Sequence, residues 1–280
     1  MRLKNLSKIY PNGKGLKNMS LDFPETGIVA VLGTNGSGKI TLFKLLLYLF
    51  EPSSGNIYYR PSKMAYVPER RALHLDLTVK EHFQFIASLR KIDKSVWPAI
   101  WKKLDRIFQL DDIARQKIMT LSKGNQQKVQ FALAWMADPD CLILDEPFTG
   151  LDFTNIRLLK KAIVDEYQKG KLILISSHQY EEVEDIFTHV LILKDGSCVL
   201  FESLQHLHAQ QNQYEITLFP DPYRSHRHDE GFEFLAKEGN ACTYRINDFQ
   251  KIKKLFHEES YFRIKVQKIS LKGLVESSID

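Results

Sequence analysis

The chain has 280 residues, 44% of them hydrophobic and 26% charged, with a formal net charge of +5. At about 100–200 residues per domain it has room for two domains, or one enlarged one, and its apolar content excludes wholesale disorder. The charge is too modest to select nucleic acid as a partner, and no apolar run approaches the roughly 18 residues of a membrane helix.

The start, Met1-Arg2-Leu3-Lys4-Asn5, carries no apolar segment of a secretory leader, so the expectation is a soluble, cytoplasmic chain. Cys141, Cys198 and Cys242 lie far apart, which argues against zinc ligation and against a disulfide framework. In chain order, Ile28 to Leu32 is a short apolar run bounded by Gly27 and Gly33, which predicts a strand. A helix follows, with Leu42, Leu45, Leu46 and Leu49 on one face. Met64 to Val67 reads as a second strand, and helical patterns cover Val79 to Arg90, Trp97 to Leu110 and Lys123 to Met136. Cys141 to Leu144 and Lys171 to Ile175 are continuous apolar runs, which predicts a mainly parallel sheet covered on both faces. Val190 to Leu193 and Cys198 to Phe201 flank Asp195-Gly196, a hairpin signal.

After Phe201 the texture changes. Gln205 to Gln213 is rich in His and Gln, without apolar periodicity, and reads as a polar linker. Tyr214, Ile216 and Leu218 alternate with polar residues, as do Phe262, Ile264 and Val266. Phe249, Ile252, Leu255 and Phe256 have helical spacing behind Asn247-Asp248. The predicted organisation is one domain over 1–205, with a helical subdomain at about 70–136, and a small α+β appendage over 213–280. His226 and His228 in a polar stretch read as solvated surface rather than a metal site.

The chemistry concentrates in the first domain. Gly33-Thr34-Asn35-Gly36-Ser37-Gly38-Lys39 lies between a strand and a helix, where backbone N–H groups and a helix N-terminus can cradle phosphate. Lys39 supplies a point charge for the β- and γ-phosphates. In such loops the next residue is Ser or Thr, whose hydroxyl ligates Mg²⁺. Here it is Ile40, and Thr41 is rotated by about 100° from that position. Asp145 and Glu146 end an apolar strand, Asp145 placed to hold Mg²⁺ through water and Glu146 to activate an attacking water. Leu121-Ser122-Lys123-Gly124-Asn125 opens a helix, with Ser122 as N-cap and Gly124 giving an anion access to free N–H groups.

Taken together, these segments resemble the nucleotide-binding subunit of an ATP-binding cassette (ABC) transporter, over about residues 1–205. Residues 33–41 resemble the Walker A loop apart from Ile40, and residues 142–146 resemble Walker B. Residues 121–125 resemble the signature, with Lys123 and Asn125 in place of its usual Gly and Gln. Leu151-Asp152 resembles the D-loop and His178 the switch histidine. Tyr10 resembles the adenine-stacking aromatic, and Tyr66-Val67-Pro68-Glu69 the Q-loop, with Glu69 near Mg²⁺ or a membrane partner.

The resemblance implies an α/β P-loop NTPase of the ABC type with a mainly parallel core, a helical subdomain and an N-terminal antiparallel β region. It implies a transport-coupled ATPase using ATP and Mg²⁺, with Glu146 and His178 at the reaction centre. It further implies a homodimer sandwiching two ATP molecules, docked on integral membrane permease subunits at the inner face of the cell membrane, with no nucleic acid as partner. The closest flavour is that of bacterial ABC-2-type exporters, whose permease helix would enter between Glu69 and about Leu110.

Ile40 implies impaired hydrolysis, arising either from an engineered change or from a subunit that tolerates the loss. The rival classes are a soluble ABC ATPase acting on ribosomes or DNA and a non-hydrolysing regulatory subunit. Translation factors of this type usually carry two cassettes, and DNA-repair relatives interrupt theirs with a long coiled coil. Here there is one cassette, and Gly33 to Asp152 is compact.

Overall fold

In the computed structural model the larger unit begins with β1 (Arg2–Ile9), β2 (Gly15–Asp22) and β3 (Gly27–Leu32), followed by α1 (Lys39–Leu46) and β4 (Ser54–Tyr58). The structure describes residues 1–177, 184–210, 214–219, 232–239, 241–246 and 263–268. β1 pairs antiparallel with β2 on one side and β4 on the other, forming the N-terminal antiparallel sheet. The chain continues through β5 (Met64–Val67), α2 (Val79–Leu89), α3 (Trp97–Phe108), α4 (Lys123–Trp135) and β6 (Cys141–Asp145). α5 (Phe153–Gln168), β7 (Leu172–Ser176), β8 (His189–Lys194) and β9 (Ser197–Ser203) follow.

The central sheet has the order β5-β6-β7-β3-β8-β9, and its first five strands pair in parallel. β3, β6 and β7 are buried along their whole length, as their unbroken apolar runs predict for strands covered on both faces. In such a sheet the C-terminal strand edge is where ligands bind. The residues that follow β3, end β6 and end β7 all lie on that edge. β8 and β9 join through Asp195 and Gly196, both at positive φ (50° and 84°), the backbone of a two-residue hairpin turn.

Two expectations are corrected here. Leu49 does not share the buried face of α1: the helix ends at Leu46, Tyr48 turns the chain at φ 57°, and Leu49 is exposed. The supposed linker begins as a helix, α6 (Leu204–Gln210), whose buried Leu204 and Leu207 sit one turn apart. Two apolar residues are too few to show as a period. The chain divides into Met1–Phe201 and Glu202–Asp280, a division that falls inside β9. In the second unit β10 (Tyr214–Phe219), β11 (Phe232–Glu238), β12 (Ala241–Ile246) and β13 (Arg263–Lys268) form an antiparallel sheet of order β11-β12-β10-β13. The expected helix around Phe249 to Phe256 and the pair His226 and His228 lie outside the described residues.

Helices α2 to α4 form the helical region between β5 and β6. α2 begins with a capping box: Thr78 Oγ1 accepts from the Glu81 N–H, and the Glu81 carboxylate accepts from the Thr78 N–H. On its inner face His82 is 1% exposed, its ring edge-on to His74 and its nitrogens without a partner among the described residues. Burial, with a smaller push from His74, holds its pKa down to about 4.

A free imidazole titrates near 6.5, so below that pH the unfolded chain takes up a proton that the folded chain refuses. Stability from this site is full above about pH 6.5 and declines as the pH falls toward 4, by a total on the order of 3 kcal/mol. His82→Leu is expected to flatten the dependence of the melting midpoint on pH across that window. An unaltered slope in the variant would place the acid sensitivity elsewhere. Among the described residues no helix is long and apolar enough to cross a membrane.

Candidate nucleotide-binding site

The loop leaving β3 wraps tightly because Gly33, Gly36 and Gly38 adopt φ of 147°, 86° and 111°, a region that side-chain-bearing residues avoid. Gly38 is the N-cap of α1 and contributes no side-chain cap, so the first N–H groups of the helix stay open toward the loop. Lys39, 9% exposed, folds back so that Nζ donates to the carbonyls of Gly33 (2.6 Å) and Thr34 (3.2 Å). Burial lowers its pKa, while the charges of Glu146 and Asp145 oppose that shift. The hairpin between β8 and β9 braces this loop: the Gly196 N–H donates to the Ser37 carbonyl at 3.0 Å and its carbonyl accepts from Lys17 at 2.8 Å. A Cβ at Gly196 would sit 2.0 Å from the Gly15 carbonyl, so this approach requires glycine.

The loop is one wall of a cavity of about 310 Å³. Asn35, Gly36, Ser37, Gly38, Lys39, Ile40 and Thr41 line it from α1 and the loop, Tyr10 and Lys14 from the turn between β1 and β2, and Glu69, Asp145 and Glu146 from the sheet edge. The Tyr10 and Thr41 hydroxyls lie 3.4 Å apart, and Tyr10 packs edge-on against Phe50. Ile40 is 47% exposed, with its branched side chain at the cavity.

Asp145 and Glu146 are each 5% exposed. The Ser176 hydroxyl donates to Asp145 Oδ1 at 2.6 Å and accepts from the Glu146 N–H at 2.9 Å, so one serine on β7 sets both acids. Glu146 adopts a positive φ of 49°, a turn directly after the strand. The Tyr66 hydroxyl donates to Asp145 Oδ2 at 3.2 Å, and burial together with the Asp145 charge pushes the phenol pKa up. Sequence patterns placed Tyr66 only in the Q-loop resemblance, not as a donor to Asp145, and did not single out Ser176 or Lys14. Register between distant strands brings Tyr66 and Ser176 there.

The remaining candidates lie elsewhere. Ser122 caps α4, its hydroxyl accepting from the Asn125 N–H at 3.2 Å, and Lys123 is exposed. None of Ser122, Lys123, Gly124 or Asn125 lines the cavity. Asp152 caps α5: its carboxylate accepts from the Asn155 N–H (2.8 Å) and amide (2.9 Å). A Cβ on Gly124 would meet that Asn155 amide at 2.8 Å, so the first turns of α4 and α5 touch within one chain. α4 is also tied to the sheet edge, Gln127 donating to the Pro147 carbonyl (2.9 Å) and Gln130 to the Pro68 carbonyl (2.7 Å). His178 lies outside the described residues.

The cavity suits a phosphorylated ligand. The Ser37 hydroxyl is buried at its wall with no partner among the described residues, a polar atom that a ligand oxygen can satisfy. For Mg²⁺ the donors are carboxylates beside the loop, the hard oxygens this ion takes together with substrate phosphates. Among the described residues no group of three or more His, Cys, Asp and Glu is arranged to hold a metal by itself.

The ABC transporter family matches residues 16–149. The ABC transporter ATP-binding protein YhaQ of Bacillus subtilis is 34% identical over 230 residues, covering 79% of this chain and 77% of that protein. The SkfA peptide export ATP-binding protein SkfE of the same organism is 33% identical over 206 residues, covering 70% and 86%. A solved structure of the ATP-binding subunit of an ABC transporter superimposes with a TM-score of 0.67 at 30% identity, covering 75% of this chain and 92% of that one. The fold, the loop between β3 and α1 and these likenesses agree: the chain belongs to the ABC transporter family as an ATP-binding subunit of the P-loop NTPase fold.

Proposed function

We propose that this chain binds and hydrolyses ATP to drive export of a substrate through a separate membrane permease. The observation that carries the reading is the convergence of Lys39, Asp145 and Glu146 on one cavity, beneath the open N-terminus of α1 and with Tyr10 at its side. Export as the direction is supported by SkfE, whose name records peptide export.

In this reading the loop N–H groups and Lys39 hold the β- and γ-phosphates, and Tyr10 stacks on adenine. Asp145, with Glu69, would hold Mg²⁺, which supplies charge stabilisation at the phosphate oxygens when bound. Glu146 takes the proton of the attacking water, and His178 orients that water by a hydrogen bond to the γ-phosphate. Ile40 contributes no side-chain oxygen, and Thr41 is turned by about 100° from that position, so hydrolysis is slow. The same feature favours a second reading, a regulatory subunit that binds ATP without turnover.

Ser122, Lys123, Gly124 and Asn125 do not line the chain's own cavity, and the start of their helix would face a second copy. A head-to-tail homodimer would close ATP between Lys39 of one copy and Ser122 to Gly124 of the other, with Asp152 beside that junction. The exposed apolar residues Leu75, Phe85 and Leu89 on the helical region would receive the permease's cytoplasmic helix. The chain would then sit on the cytoplasmic face of the membrane as a peripheral subunit, with no role for nucleic acid.

Purification of the tagged chain from detergent-solubilised membranes is expected to bring down an integral membrane protein in stoichiometric amount. Recovery with ribosomes or DNA instead would overturn the transport reading.

A further inference from the structure

Asp145 ends β6 between two neighbouring strands. On one side it is the register partner of Ser176 on β7. On the other, β5 places Tyr66 opposite Ile143, two positions earlier, and the length of the tyrosine ring spans that offset. The result is one hydroxyl on each carboxylate oxygen: Ser176 donates to Oδ1 at 2.6 Å and Tyr66 to Oδ2 at 3.2 Å.

A carboxylate oxygen has two lone pairs, so each oxygen keeps one free after accepting a hydrogen bond. Rotating the carboxylate about Cβ–Cγ would break both bonds. Donors on both oxygens therefore fix the plane in which the free lone pairs are offered, without using them up. The two donors are not equivalent. Ser176 also accepts from the Glu146 N–H, so its removal disturbs both acids, whereas the Tyr66 hydroxyl touches Asp145 alone of the pair.

We propose that Tyr66 is a positioning residue for the metal-holding carboxylate of Asp145. This rests on the reading of the cavity as an ATP and Mg²⁺ site. Its hydroxyl acts through Asp145 and not on the nucleotide. With Ile40 where other loops carry a metal-ligating hydroxyl, the orientation of Asp145 bears a larger share of Mg²⁺ affinity.

The test is equilibrium binding of a fluorescent ATP analogue to the full chain, first in EDTA and then across a Mg²⁺ titration. Tyr66→Phe keeps the ring and removes only the hydroxyl. It is expected to raise the half-saturating Mg²⁺ concentration about 10-fold, the lower end of the cost of losing an outer-shell partner, while binding in EDTA stays unchanged. An unchanged Mg²⁺ requirement overturns the assignment. Loss of binding in EDTA as well also overturns it, because the ring's packing rather than the hydroxyl would then be what matters. If the unmodified chain binds the analogue in neither condition, the ATP reading itself fails, an outcome visible before any variant is compared.

Discussion

Glu146→Gln is expected to lower the residual Mg²⁺-dependent ATPase rate of this chain by about 10²–10⁴-fold, the usual contribution of a positioned general base, while ATP binding is retained. The substitution suits the site. Glu146 is buried at the sheet edge, with its backbone fixed at positive φ and its N–H held by Ser176, and glutamine keeps the shape and leaves those backbone constraints alone. What glutamine cannot do is take a proton from water. Phosphate release measured beside nucleotide binding separates the two effects. If the copies pair as proposed, the variant should also persist as an ATP-loaded dimer in size-exclusion chromatography, because the γ-phosphate bridging them would no longer be removed. A rate equal to that of the unmodified chain would remove Glu146 from the chemistry.

The parts of this site that were legible in the sequence are those whose function is local spacing. The loop from Gly33 to Lys39 needs glycines at fixed offsets between a strand and a helix. Asp145-Glu146 needs only to follow a buried strand. The partners that orient them were not legible. Tyr66 and Asp145, or Asp145 and Ser176, meet only once strand order and register are known, and nothing in the local pattern around Tyr66 marks it as a donor to an acid on the next strand.

α5 escaped for a different reason. Its buried face combines Leu159, Ala162 and Ile163 with Glu166, a charge that a hydrophobic pattern reads as surface. In the structure Lys169 and Lys171 pair with that carboxylate and make its burial tolerable. α6 escaped because its buried leucines, Leu204 and Leu207, are a single turn apart and make too short a pattern to read as a period. Local chemistry was therefore readable where a motif demands fixed residues, and hidden where tertiary partners compensate an unfavourable residue.

Ile40 is where sequence and geometry bear most directly on rate. Ile40→Ser is expected to raise the Mg²⁺-dependent ATPase rate by about 10–100-fold, at least the scale on which even outer-shell ligand partners affect metal affinity or activity. The position is second in α1, after the Gly38 cap, where serine and isoleucine have similar helical preference, and the isoleucine is 47% exposed. Little burial is lost, so the melting temperature should barely move. Thr41 does not simply take over the role, since one helical step turns it by about 100° from that position. Ile40→Ala is the necessary companion, because it removes the branched bulk without supplying an oxygen. A gain confined to serine assigns the deficit to the missing metal ligand. A gain shared by alanine assigns it to crowding at the phosphate end of the cavity, and equal rates in all three chains would leave Ile40 without any part in the chemistry.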